Sequence, residues 1–239
     1  MNIWQVVMRC NARLGFIAAL GMSLIACSPA DTWKEEVLLH DGSKIIVERT
    51  QHFGGILIQS PPIKEHSVTF TLPDSDKSIT WKSNFSEDIG HSNFGLLALD
   101  IVNGSAYVVA DLTGCLSYNK WGRPNPPYIF FKYANEQWTQ IPLGEFPVEI
   151  EQPNMLIDTF GHGDVNREVK SGYVTAENVK KINSTLTQEE FKNIVRLPVK
   201  KVSADCGVMV RIEGTTGGWG SPGGAKAPVP IISQNPTDK

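Results

Sequence analysis

Phe94 to Leu112 reads FGLLALDIVNGSAYVVADL. Two apolar runs, Phe94 to Val102 and Ala106 to Leu112, flank the dipeptide Asn103-Gly104. Asn-Gly between β-type runs marks a two-residue hairpin turn, because both central residues of a type I′ turn need positive φ and these two side chains tolerate it. Phe94 to Val102 is also the most apolar run downstream of residue 26. Apolar residues fall on both faces of the pair, which predicts the central hairpin of a sheet.

Working upstream, Glu35 to Asp41 and Ser43 to Thr50 form a second β-rich pair joined at Asp41-Gly42, again with a type I′ turn expected. His40 beside that turn reads either as a polar hairpin-end residue or as a ligand. Phe53-Gly54-Gly55 marks a bend before Ile56-Leu57-Ile58, and Pro61-Pro62 closes that segment. His66 to Leu72 (HSVTFTL) alternates strictly, with Val68, Phe70 and Leu72 on one face, the pattern of a strand with one wet side. Ile79 and Trp81 resume it after a polar loop, completing another hairpin.

Downstream, Tyr128 to Tyr133 turns at Asn135-Glu136 into Trp138 to Ile141, and Val208 to Ile212 is a last strand. Two short helices are expected in the C-terminal half. Thr175 caps the first, with Val179, Ile182 and Leu186 at inward spacing. Thr187 with Glu190 makes a capping box for the second, whose apolar face is Phe191, Ile194 and Val195 and which ends before Pro198. The predicted class is mainly β: antiparallel hairpins forming a sandwich-like sheet or an open barrel, with these two helices. An α+β arrangement is the alternative. Residues 33–213 suffice for one globular β-rich domain. Residues 214–239 are rich in Gly and Pro and bury too little to offset ordering, so a disordered tail is expected.

The N-terminus carries a different signal. Arg9 and Arg13 are the only charges of the first 26 residues, and Leu14 to Ile25 is an uncharged apolar stretch of signal-peptide length, too short to span a bilayer comfortably. It ends in Leu24-Ile25-Ala26-Cys27. This motif resembles the lipobox of bacterial lipoproteins. The resemblance implies a signal peptide over 1–26, cleavage between Ala26 and Cys27, diacylglyceryl attachment to the Cys27 thiol and usually acylation of the new amine. Residues 27–32 become a lipidated tether. Ser28, where an aspartate in that family tends to retain the protein at the inner membrane, implies the outer membrane of a Gram-negative envelope. TWKEEVLLHDGSKIIVERT, IKEHSVTFTL and SYNKWGRPNPPYIFFKY resemble a group of proteobacterial lipoproteins as well. That likeness implies the same location and brings no activity or catalytic residues with it.

Cleavage leaves 20 basic against 25 acidic residues, a net charge of −5. A mildly acidic chain without a basic block is a poor nucleic-acid binder, and its hold on a membrane must come from the lipid on Cys27. On that resemblance Cys10 of the four cysteines would be lost and Cys27 alkylated, leaving Cys115 and Cys206. In an oxidising compartment these form a disulfide; the other reading is two free buried thiols.

Tyr118, Trp121, Arg123 and Tyr128 surround a proline-rich turn in CLSYNKWGRPNPPY. Aromatics with an arginine suit a recognition surface or carbohydrate stacking; the other reading is a rigid loop packed on a sheet edge. Asp158, His162 and Asp164 (DTFGHGD) are suitable metal or acid–base groups in a glycine-broken loop with no further ligand signature, so neither a metal nor another cofactor is assigned. No nucleophile elbow, zincin, P-loop or dinucleotide motif is present, and no catalytic residue is assigned. The expected function is a non-enzymatic binding or envelope-assembly module facing the periplasm, with an envelope protein or glycan as partner. The alternative is a hydrolase acting on envelope polysaccharide or peptidoglycan.

Overall fold

The alternating runs pair into two stacked sheets in the computed structural model, which describes residues 30–54, 62–73, 75–83, 85–157, 163–199, 206–214 and 218–222. In chain order the strands are β1 (Ala30–Leu38), β2 (Lys44–Phe53), β3 (Ile63–Thr71), β4 (Ser78–Lys82), the small pair β5 (Phe85–Ser86) and β6 (His91–Ser92), then β7 (Phe94–Val102), β8 (Ser105–Leu112), β9 (Tyr128–Ala134) and β10 (Gln137–Ile141). After them come β11 (Tyr173–Val174), β12 (Val210–Arg211) and β13 (Trp219–Gly220). The helices are α1 (Gly114–Lys120), α2 (Gly163–Ser171) and α3 (Ala176–Asn183). The first sheet has the order β11-β1-β2-β3-β4, antiparallel except where β11 joins β1 in parallel; the second has the order β10-β9-β8-β7. The fold is therefore mainly β and sandwich-like, as the hairpin signals predict.

One core lies between the sheets. Val37, Val47, Val68, Phe70 and Trp81 of the first meet Phe94, Leu96, Leu99, Val108 and Ile129 of the second. Trp81 and Phe94 both set their rings edge-on to Phe131, at 5.5 and 5.4 Å. Each such side chain contributes about 1.5–3 kcal/mol when fully buried. The far face of the second sheet is also covered: Leu97, Tyr107, Val109 and Phe130 pack beneath Phe146, Ile150, Ile157 and Ile194. This explains why its strands are apolar on both faces. The outer face of the first sheet is wet, with hydroxyl pairs Thr32–Thr50 and Thr69–Thr80 at 3.1 and 2.8 Å. A third cluster holds α2 and α3 against β1 through Trp33, Leu156, Val165, Val169, Val174 and Val179.

The β7–β8 turn has Asn103 at φ 50° and Gly104 at φ 72°, as its type requires. The β1–β2 turn differs from expectation. Only Gly42 has positive φ, Gly42 N–H donates to Leu39 O and Leu39 N–H to Ser43 O. This is a three-residue loop with glycine in the left-handed position. The extra residue carries His40 beyond the strand. The β7–β8 pair is not central either, because β7 ends its sheet. Its open edge is closed by the chain: the amides of Asn154 and Met155 donate to Leu97 O, and the Asn154 side chain pairs both backbone groups of Leu99.

Thr175 caps α3 as expected, its hydroxyl accepting from Asn178 N–H. The helix expected after Thr187 is reduced to a 3-10 turn at Glu189–Phe191. Tertiary bonds claim the groups it would have used. The Tyr128 hydroxyl lies 2.8 Å from Glu190 O and 3.1 Å from Asn193 O, and Ile194 N–H donates to Glu151 O. Two helices appear that the sequence reading lacked. One is α2, which buries Val165 and Val169 one turn apart. The other is α1, which carries Cys115. Cys115 and Cys206 are disulfide-bonded, so the free-thiol alternative falls. Within the segment read as a tail, Trp219 and Gly220 pair with Arg211 and Val210, and the Trp219 indole donates to Asp88 O. That bond from the half-buried indole anchors this stretch.

Candidate functional site

The β1–β2 loop and the buried end of β7 meet at the mouth of a cleft of about 730 Å³. The end of β1, the chain following Ile150 and the side of α3 line it. Asp100, on β7, is 2% exposed. One of its oxygens lies 2.7 Å from His40 Nδ1 and accepts from Ile101 N–H at 2.7 Å; the other accepts from His40 N–H at 3.0 Å. A carboxylate fixes the neighbouring imidazole nitrogen as the donor, so Nε2 is left for a ligand or solvent. His40 lines the cleft and its side chain is 23% exposed. Its hydrogen bond to Asp100 holds the imidazole above its usual pKa. Burial pushes the Asp100 carboxyl up, against the pull of the bonds it accepts.

Two asparagines make the frame rigid. Asn154 donates to Leu38 O and to Leu99 O, tying β1 to β7 across the two sheets. Asn183 accepts from Ile157 N–H and donates to Met155 O, tying α3 to the same segment. The floor is apolar where Leu39 and Val179 meet it; the walls carry Glu149, Glu151, Glu177, Lys180 and Lys192.

A second charged pair sits farther back on β1. Glu35 is fully buried and Arg49 is 2% exposed. Glu35 accepts from Arg49 at 3.0 and 3.3 Å, from the Trp33 indole at 2.9 Å and from Leu156 N–H at 2.7 Å. Arg49 also donates to Leu156 O and lies 4.9 Å over the Trp33 ring. Beside it His66, buried and 3.4 Å from Gln51 Nε2, is pushed down to about 3 by burial and the Arg49 charge. This cluster is sealed and fully satisfied, so it clamps the 154–157 segment and meets no ligand.

The aromatic segment is part of the packed body. Tyr118 and Tyr128 are buried. Trp121 packs 4.7 Å from Phe94 and its indole donates to Asn93 Oδ1. Arg123 lies 4.9 Å over Tyr118 and donates to Cys206 O and Gly207 O, bracing the disulfide-linked strap. These four residues therefore pack as the rigid-loop reading has it, and they do not form an open recognition surface. Ala26, Cys27, residues 55–61, Asp158 and His162 lie outside the described residues. Asp164 opens α2 instead of lying in a loop, and it pairs with Arg167 on the exposed side. Among the described residues no group of three or more His, Cys, Asp or Glu could hold a metal, and no helix is long and apolar enough to cross a membrane. Lys120 reaches Ser86 Oγ at 2.7 Å, but Asp88 at 2.8 Å holds the ammonium, so it is no base for that serine.

Asp100 is the residue that sequence reasoning missed. The signal was present as the single charge in FGLLALDIV, where burial demands a partner. Its partner, His40, lies 60 positions away.

No protein-family model, curated protein or solved structure matches this chain.

Proposed function

We propose that this chain is a lipid-anchored outer-membrane lipoprotein facing the periplasm, and that it acts as a non-enzymatic binding module whose ligand seat is the cleft between β1, β7 and α3. The Leu24-Ile25-Ala26-Cys27 motif supports the anchor, and the Cys115–Cys206 bond is consistent with an oxidising compartment. The observation that carries the binding role is the cleft itself. Its volume lies within the range of small-molecule sites, and its lining sets apolar Leu39 and Val179 beside charged groups, of which His40 is held in place by Asp100.

Two experiments test the two halves. Envelope fractionation of wild type and Cys27→Ala should find only the former in the outer membrane; identical fractionation sinks the anchor. For the cleft, Ser184→Cys carrying an environment-sensitive fluorophore should respond to the small-molecule fraction of a periplasmic extract. A silent probe removes the binding role.

A second reading, a hydrolase acting on envelope polysaccharide or peptidoglycan, is favoured by one observation. His40 is backed by a buried carboxylate in a cleft, with Glu149 close enough to act on its charge, which is the arrangement of an oriented base. Under the binding reading, purified protein releases no soluble fragments from peptidoglycan sacculi. Release that His40→Ala abolishes would establish the hydrolase instead.

A further inference from the structure

The cleft carries charges of both signs: Asp100, Glu149, Glu151 and Glu177, with Lys44, Lys180 and Lys192. The pole around His40 is acidic: Asp100 and Glu149 line the cleft, and Asp41 stands beside it, all acting on the imidazole. The helical wall is basic at Lys180 on α3 and at Lys192, just after the 3-10 turn. Neither lysine makes a side-chain hydrogen bond or ion pair among the described residues. Glu177, one helical turn before Lys180, does not pair with it. Lys44 also lines the cleft but is engaged by Glu36 at 3.1 Å. The apolar part of the lining is Leu39, Val179 and Phe191.

We infer that the ligand is a short peptide with both termini free, its ammonium at the Asp100–Glu149 pole, its carboxylate at Lys180 and Lys192, and a small aliphatic side chain on the apolar part of the lining. This inference rests on the cleft being a ligand seat and names the class of ligand it takes. A polyanion would meet the acidic pole and a polycation the lysines, and like-charge contact costs more than the opposite contact returns. A plain sugar would leave both sets of charges unanswered. A zwitterion answers both, and a few residues of peptide suit a site of about 730 Å³.

The test uses the full-length protein in detergent and isothermal titration calorimetry with trialanine, N-acetyl-trialanine and trialanine amide. Trialanine should bind, and loss of either terminal charge should weaken binding about tenfold or more, which is 1.4 kcal/mol for each tenfold. Lys180→Ala combined with Lys192→Ala should bring trialanine down to the affinity of the amide and leave the amide unchanged. Both lysines are exposed, so the fold survives the change. A peptidoglycan stem tripeptide run beside trialanine separates the two sources of such peptides. Either one binding with this charge dependence sustains the inference, and the tighter one names the source. Equal binding of all three trialanine forms overturns it. If no peptide binds while the Ser184→Cys probe responds to periplasmic small molecules, the peptide class is wrong and the ligand seat stands. If the probe is silent too, both fail.

Discussion

Glu35–Arg49 and His40–Asp100 are two charged pairs reached from the same strand, and they have opposite fates. The first is closed on every side, by Trp33 and by the backbone of Leu156. The second is closed only behind: Asp100 is buried, while His40 lies on a cleft. The difference begins in the backbone. Trp33, Glu35 and Val37 alternate inward along β1, so Glu35 has no route to solvent and must be satisfied within. His40 lies beyond the last strand residue, in the three-residue loop that Gly42 permits. Burial made the first pair a clamp, and a loop one residue longer than expected made the second available to a ligand.

The largest expected effect tests the clamp. Arg49→Met leaves Glu35 buried without its counter-charge, and removing one partner of such a pair costs about 3–5 kcal/mol. Adding Glu35→Gln should recover part of that, since it removes the unpaired buried charge, although its single amide oxygen can accept from only one of Trp33 and Leu156, which donate to different oxygens of the carboxylate. Urea unfolding of the three variants measures both values. If Arg49→Met is as stable as wild type, the pair is not sealed and the contrast with His40–Asp100 collapses.

Asp100→Ala should cost less, about 1–3 kcal/mol, because it strands two backbone N–H groups and leaves no buried charge. His40 N–H and Ile101 N–H are those groups. Part of the loss is relieved by water entering from the cleft. A cost above that of Arg49→Met in the same unfolding series would reverse the ranking of the two sites.

These contrasts were unevenly legible in the sequence. Asn103-Gly104 and HSVTFTL announce their strands because turn chemistry and alternation are local. The inward face of β1 was hidden by its composition, since TWKEEV places a glutamate where a core residue belongs. Asp100 could be noticed, and His40 could be noticed, but nothing local joins residues 60 apart. The capping box at Thr187 misled for the related reason that Tyr128 and Glu151, distant in sequence, bind the backbone groups its helix needed. The aromatics from Tyr118 to Tyr128 suggested a surface because composition does not say which side of a loop is covered.

The two histidines give the comparison a pH signature of opposite sign. His66 is held down to about 3 by burial and Arg49. The unfolded chain, with an ordinary imidazole, binds a proton that the folded chain refuses. Its stabilising contribution is therefore complete above about pH 6.5 and is lost as pH falls toward 3. The loss approaches about 1.4 kcal/mol per pH unit. Unfolding measured from pH 7 to 5 should show this slope, and His66→Gln should flatten it. An unchanged slope in that variant would assign the acid sensitivity elsewhere.

The smallest effect on stability belongs to His40, and it is the sharpest test of the open pair. Its contact with Asp100 raises its pKa, so its contribution is present below the ordinary imidazole value and is lost as pH rises through the raised one, the reverse of His66. Because the ring lies on a cleft, His40→Gln should change stability by no more than about 0.5 kcal/mol, as surface substitutions do. Its titration followed by NMR should have a midpoint above the usual value in wild type and fall back in Asp100→Asn, where the carboxylate is replaced by a neutral acceptor. Trialanine bound as inferred should lower the midpoint in wild type, since its ammonium at the Asp100–Glu149 pole opposes protonation of the ring beside it. A midpoint unmoved by Asp100→Asn would mean that the buried carboxylate does not govern the imidazole. His40 would then be a hairpin-end residue that happens to border the cleft.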